Sequence, residues 1–138
     1  RLAGVAAVIE AACGLGLCLD QEMTVGVYPP GGPRYTRHLD RHDFEGMNAR
    51  VLTALLYTNP DWPASGGELR VFPPEPGARV TAGAAALRHV DYLPKAGRLV
   101  CFWSRTVFHE VLPSPAGAPP RFAVTLWIQG RGDAAGQR

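Results

Sequence analysis

The sequence predicts a mainly β domain: two packed antiparallel sheets, a jelly roll or related barrel of about eight short strands, with one helix packed outside. Three observations predict it. Glycine and proline number 16 and 13 among 138 residues, too many for a helix bundle and well suited to strands joined by turns. A helical apolar period occurs only at the start of the chain. The rest divides into short runs rich in β-branched and aromatic residues, each bounded by turn residues. With 46% hydrophobic and 19% charged residues, the chain is apolar enough to bury one core and is not a disordered one.

In chain order, Leu2, Val5, Ala6, Ile9 and Cys13 recur at spacings of three and four, and Gly14 is placed to stop the helix they describe. Glu10 interrupts this apolar stretch and no cleavage site follows, so it reads as a helix rather than a signal peptide. No run reaches the roughly 18 apolar residues of a membrane span, and no membrane association is expected. Strand candidates are 22–28, 35–40, 50–58, 68–72, 86–90, 98–103, 107–112 and 122–129. Between them stand turn clusters such as Pro29-Pro30-Gly31-Gly32-Pro33, Asn59-Pro60-Asp61, Ser65-Gly66-Gly67 and Pro113-Ser114-Pro115. Residues 113–120 read as a mobile loop and 130–138 as a polar tail. Trp62 and Trp103 read as core or loop anchors, and Gly66-Gly67 as a strand connection or bulge.

A net charge of +2, from 14 basic and 12 acidic side chains, excludes electrostatic capture of nucleic acid as the main activity. Cys13, Cys18 and Cys101 are odd in number and form no CxxC pair. A disulfide framework is therefore unexpected, and buried or free thiols in a reducing compartment are expected. The expected location is cytoplasmic, nuclear or both. The chain lacks an initiating methionine and is expected to begin inside a longer protein.

Strand alternation sends residues i and i+2 to one face. His38 and Asp40 therefore point into the same space, with Leu39 facing away. A further imidazole would complete the facial triad of a non-haem iron(II) oxygenase, which leaves positions open for substrate and O₂. His109, on a later predicted strand, is the best candidate. A rival HxD pair, His89 and Asp91, lies closer to His109 in sequence and reads as polar positions on a half-exposed strand. His42 and Asp43 fall in the polar stretch 41–48 and read as solvated loop side chains. Arg121 opens the apolar strand Phe122-Ala123-Val124-Thr125-Leu126-Trp127. A buried guanidinium there needs a partner, and a ligand carboxylate would serve; an Arg that reaches back to water is the alternative.

Together these residues resemble the 2-oxoglutarate- and iron(II)-dependent oxygenases, and more narrowly the prolyl hydroxylases that act on hypoxia-inducible factor. The similarity runs from about Met23 to Trp127. It is carried by Tyr28-Pro29, Tyr35-x-Arg37-His38-x-Asp40, Tyr57-x-Asn59-x-Asp61-Trp62 and Ser65-Gly66-Gly67-x-Leu69-Arg70-x-Phe72-Pro73. Further blocks are Arg98-Leu99-x-x-Phe102-Trp103-Ser104, His109-Glu110-Val111 and Arg121-x-Ala123-x-Thr125-x-Trp127.

The resemblance implies a double-stranded β-helix, with residues 1–138 forming one catalytic domain. It implies iron ligands at His38, Asp40 and His109, and a clamp of Arg121 and Tyr57 on the distal carboxylate of 2-oxoglutarate. Tyr28 should sit beside both the cosubstrate and the target proline, with Tyr35, Arg50 and Trp127 around that proline. The implied activity is hydroxylation of a prolyl residue in a protein or peptide, as in the hypoxia response. It consumes 2-oxoglutarate and O₂, releases succinate and CO₂, and uses ascorbate to keep the iron reduced. A monomer is expected. The alternatives are a related oxygenase acting on another side chain or a small molecule, and a catalytically silent jelly-roll module that binds peptide.

Overall fold

The computed structural model describes residues 3–31, 34–40, 50–62, 65–74 and 88–130. Helix α1 (Ala3–Cys13) is followed by β1 (Leu17–Tyr28), β2 (Arg50–Tyr57), β3 (Leu69–Phe72), β4 (Val90–Tyr92), β5 (Leu99–Trp103), β6 (Phe108–Val111) and β7 (Arg121–Gly130). All pairings are antiparallel, in a four-stranded sheet of order β1-β7-β2-β5 and a three-stranded sheet of order β4-β3-β6. This is the mainly β, jelly-roll architecture expected from the sequence.

Alternation along β2 and β7 gives the large sheet two apolar faces. One face contributes Leu55, Tyr57, Val100, Phe102 and Ala123 to a core shared with Leu69 and Val71 of the small sheet. The other contributes Leu52, Ala54, Leu126 and Ile128, which pack with the fully buried Ala6 of α1. The helix thus lies outside the barrel, as its single apolar stripe requires. Of that stripe Ala6 is buried, Val5 and Ile9 are half-buried, and Cys13 is exposed; Leu2 lies outside the described residues. Gly14 adopts φ +58 and donates its N–H to the Glu10 carbonyl at 2.8 Å, a left-handed stop. The Glu10 carboxylate then accepts from the N–H groups of Gly16 and Leu17, turning the chain into β1.

Three expectations are corrected. β1 begins at Leu17 rather than at residue 22, because pairing with β7 extends it back to Gly130. β4 occupies Val90–Tyr92 rather than 86–90, held by pairing with β3 and by a bidentate ion pair of Arg70 with Asp91; residues 86 and 87 lie outside the described residues. The segment 35–40 is not a full strand. It pairs with β6 through reciprocal backbone hydrogen bonds of His38 and His109, at 2.9 and 3.0 Å, and through Val111 N–H donating to the Tyr35 carbonyl.

The loop read as mobile is docked: Pro113 accepts from the Gly67 N–H at 3.0 Å, and Pro115 packs over Gly66. No disulfide joins Cys13, Cys18 or Cys101. No helix among the described residues is long and apolar enough to cross a membrane.

Candidate active site

The reciprocal hydrogen bonds between His38 and His109 make them directly opposed residues of an antiparallel pair, so their side chains leave on the same face. Their ring centres lie 4.3 Å apart. Asp40, two residues beyond His38, joins them: its Oδ1 is 3.4 Å from His38 Nε2 and 3.6 Å from His109 Nε2. One donor atom from each of the three falls within 4.8 Å of the others, close enough to hold a single metal ion.

Each of the three is held from behind. His38 Nδ1 meets the Thr36 carbonyl at 2.7 Å and His109 Nδ1 meets that of Val107 at 3.3 Å, so Nε2 of each ring is turned to Asp40. Thr53 donates to Asp40 Oδ2 at 2.6 Å, and the fully buried Ser104 hydroxyl lies 2.8 Å from that of Thr53. The indole N–H of Trp127 is buried without a well-formed hydrogen bond among the described residues, yet close enough to Asp40 to favour its charge. Burial pushes the Asp40 carboxyl up, but His38, His109, Thr53 and Trp127 outweigh it and hold it at about 2. Burial lowers His109 below the ordinary 6.5, opposed by the Asp40 charge. The hydrogen bond with Asp40 raises His38. An ionised carboxylate beside a neutral imidazole is a donor set suited to a divalent ion.

A cavity of about 360 Å³ opens beside this cluster, lined by polar residues of β1, β7 and 34–40 and by the apolar Leu55, Leu69 and Val111. Arg121 lies in its wall and is 1% exposed. Its Nε donates to the Gly67 carbonyl and its Nη2 to the Tyr57 hydroxyl, both at 3.1 Å. Among the described residues no acidic side chain pairs with it. A buried guanidinium held this way and facing a cavity is a ready partner for an anion. Tyr57 is fully buried beside Arg121, and its phenol accepts from the guanidinium while keeping its own proton to donate. Burial raises this phenol, opposed by the Arg121 charge.

The remaining candidates fall around the same cavity. Tyr28 stands edge-on to Tyr35 with ring centres 6.1 Å apart, and Tyr35 is half exposed at the mouth. Trp127 carries the Arg50 guanidinium on its face at 3.9 Å. Arg50 is also committed to Glu22 at 2.6 Å and to the Asp40 carbonyl at 3.3 Å, so it props Trp127 as well as bordering the cavity. The rival pair is placed elsewhere: Asp91 is taken by Arg70, with His89 4.0 Å away. His42 and Asp43 lie outside the described residues.

Sequence reasoning missed Thr53 and Ser104, which are ordinary strand and turn residues until pairing of β2 with β5 brings them under Asp40. It also missed the part played by Gly67. At φ +70 under the Trp62 ring, with no space for a Cβ, this residue aims its carbonyl at Arg121. The paired glycines were the available signal, and they read equally well as a bulge.

The sequence profile of the 2OG-Fe(II) oxygenase superfamily matches residues 23–129. Egl nine homolog 1 of Rattus norvegicus is 40% identical over 106 residues, which is 75% of this chain and 27% of that protein. The chain thus spans about a quarter of that relative. A prolyl-4-hydroxylase of Pseudomonas putida superposes with a TM-score of 0.73 at 36% identity, over 94% of this chain and 63% of that one. A prolyl hydroxylase of Trichoplax adhaerens, solved with a peptide fragment of the hypoxia-inducible factor oxygen degradation domain, gives 0.64 at 31% identity, over 88% and 50%. With the profile covering most of the chain and both superposed structures prolyl hydroxylases, this chain belongs to the 2OG-Fe(II) oxygenase superfamily.

Proposed function

We propose that residues 1–138 are the catalytic domain of a prolyl hydroxylase acting on a proline-containing protein or peptide, with iron(II), 2-oxoglutarate and O₂ as its cofactor and cosubstrates. The observation that carries this reading is Arg121: a buried cation without an acidic partner among the described residues, in the wall of the cavity that also holds His38, Asp40 and His109. A ligand with one carboxylate for the guanidinium and an oxo-acid end for the metal fits that pairing.

In this reading His38, Asp40 and His109 hold the iron, which when bound supplies O₂ activation coupled to decarboxylation of 2-oxoglutarate to succinate and CO₂. Asp40 stays ionised and His109 neutral at physiological pH, so neither must lose a proton to serve. Arg121 donates to the distal carboxylate, with Gly67 and Tyr57 fixing the plane of its fork. Leu55, Leu69 and Val111 give the cavity apolar wall, which strengthens each polar contact made inside it. Tyr28, Tyr35 and Trp127 offer aromatic faces to a prolyl ring near the mouth. Ascorbate serves to keep the iron in its reduced state. The similarity to prolyl hydroxylases in sequence and in structure supports the choice of proline over another side chain.

The test is an assay for succinate with iron(II), 2-oxoglutarate and a panel of proline peptides, with mass spectrometry locating any added oxygen. Peptide-dependent succinate and a hydroxylated proline are expected. Succinate formed equally without peptide, or oxygen added to a residue other than proline, would favour a related oxygenase. No succinate under any condition would favour a silent binding module.

A further inference from the structure

The inner face of β1 presents Thr24, Gly26 and Tyr28 to the cavity at alternate positions. The Tyr28 ring does not stand off the strand at its own position but lies back along β1 across Gly26. A Cβ built on Gly26 would fall 2.8 Å from both Cε2 and the hydroxyl oxygen of Tyr28 and 3.0 Å from its Cζ. All three nearest atoms belong to that one side chain. The backbone does not ask for glycine here. Gly26 has no positive φ, and it sits in continuous register opposite Ala123 of β7. What the missing side chain supplies is space, and the space is filled by Tyr28.

In this folded-back position the Tyr28 ring centre is 5.1 Å from the Arg121 guanidinium carbon, and that of Tyr57 is 5.0 Å from it. Two phenols therefore flank the cation, Tyr57 fully buried and Tyr28 in the cavity wall. We infer that Gly26 is a positioning residue: by lacking a side chain it lets Tyr28 fold in beside Arg121, and so shapes the wall against which the distal carboxylate of 2-oxoglutarate is held. The inference rests on the cosubstrate reading given above and adds to it a residue that does not itself touch the ligand.

Gly26→Ala is a mild change for the fold. The clashing atoms are the free end of a side chain, so the ring moves and the strand need not, and alanine costs less backbone entropy than glycine in a strand. The experiment uses the chain loaded with iron(II) under nitrogen and measures the 2-oxoglutarate dissociation constant by calorimetry for wild type, Gly26→Ala, Tyr28→Ala and the double variant. Gly26→Ala should weaken 2-oxoglutarate binding about five-fold, the worth of roughly one hydrogen bond, with iron affinity unchanged and the melting temperature no lower than wild type. Added to Tyr28→Ala it should cause no further loss, since Gly26 acts only through that ring.

A second readout needs no ligand. With 3-fluorotyrosine incorporated, the Tyr28 resonance, assigned by its absence in Tyr28→Phe, should shift in Gly26→Ala. An unchanged dissociation constant, an unchanged fluorine shift, or an equal loss in the Tyr28→Ala background would overturn the inference. If the wild-type chain binds no 2-oxoglutarate at all, the cosubstrate reading fails and the inference fails with it.

Discussion

Asp40 draws its support from two other strands. Thr53 in β2 donates to its Oδ2, and Ser104 just after β5 backs Thr53. Deleting that hydroxyl leaves the carboxylate free to turn away from the two imidazoles. Thr53→Val keeps the shape and removes the donor, and should weaken iron(II) binding about ten-fold, the usual effect of losing a partner behind a ligand. Equilibrium metal titration checks this, with the melting temperature of the metal-free protein as the control for packing. Arg121 carries the complementary test. Lysine keeps the charge but cannot reproduce two parallel donors or satisfy Gly67 and Tyr57 at once. Arg121→Lys should therefore weaken 2-oxoglutarate binding by about 1.5–3 kcal/mol, the range for hydrogen bonds to charged groups, while iron affinity stays near wild type. Calorimetric titration of each ligand separately distinguishes the two, and equal cosubstrate affinity would refute the assignment.

The segment 34–40 and strand β6 show how far local pattern reaches. The HxD spacing announced that His38 and Asp40 share a face, because alternation is a property of two residues on one strand. That His109 faces them depends on one pair of backbone hydrogen bonds between distant segments, which no local pattern encodes. The sequence therefore offered two HxD pairs, and only the tertiary pairing gives His38 and Asp40 a third partner while committing Asp91 to Arg70. Helix α1 was legible from its stripe, and Gly14 from its place after it. The start of β1 was not, since its early residues are ordered by β7 rather than by their own alternation. The turn before β3 hid a function for the same reason. Gly67 needs φ +70 and lies 2.6 Å, measured from a built Cβ, from the Trp62 ring. Gly67→Ala should cost stability by distorting this turn, by about 1–3 kcal/mol for a residue forced into a sparse backbone region. It should also weaken 2-oxoglutarate binding, because the carbonyl that fixes Arg121 Nε moves. Urea unfolding reads the first effect and calorimetry the second.

Across the whole molecule, an apolar core adjoins the cavity beside the His38 cluster, and Tyr57 of the core reaches Arg121 in the cavity wall. That placement gives a pH signature. Burial, opposed by Arg121, raises the Tyr57 phenol above its ordinary 10.0, so the unfolded chain loses this proton first as pH rises. The stability linked to Tyr57 is complete below 10.0 and is lost as pH climbs through the raised folded value. Urea midpoints measured across that range should fall less steeply in Tyr57→Phe than in wild type. Anaerobic spectroscopy reads both halves of the proposed site, the metal cluster of His38, Asp40 and His109 and the carboxylate clamp at Arg121, in one titration. Iron(II) and 2-oxoglutarate added together should give a visible charge-transfer band that neither gives alone, saturating at one equivalent of each. The band should vanish in His109→Ala and require far more 2-oxoglutarate in Arg121→Lys. Absence of the band in the wild-type chain, or its survival in His109→Ala, would overturn the proposed iron and 2-oxoglutarate assignments.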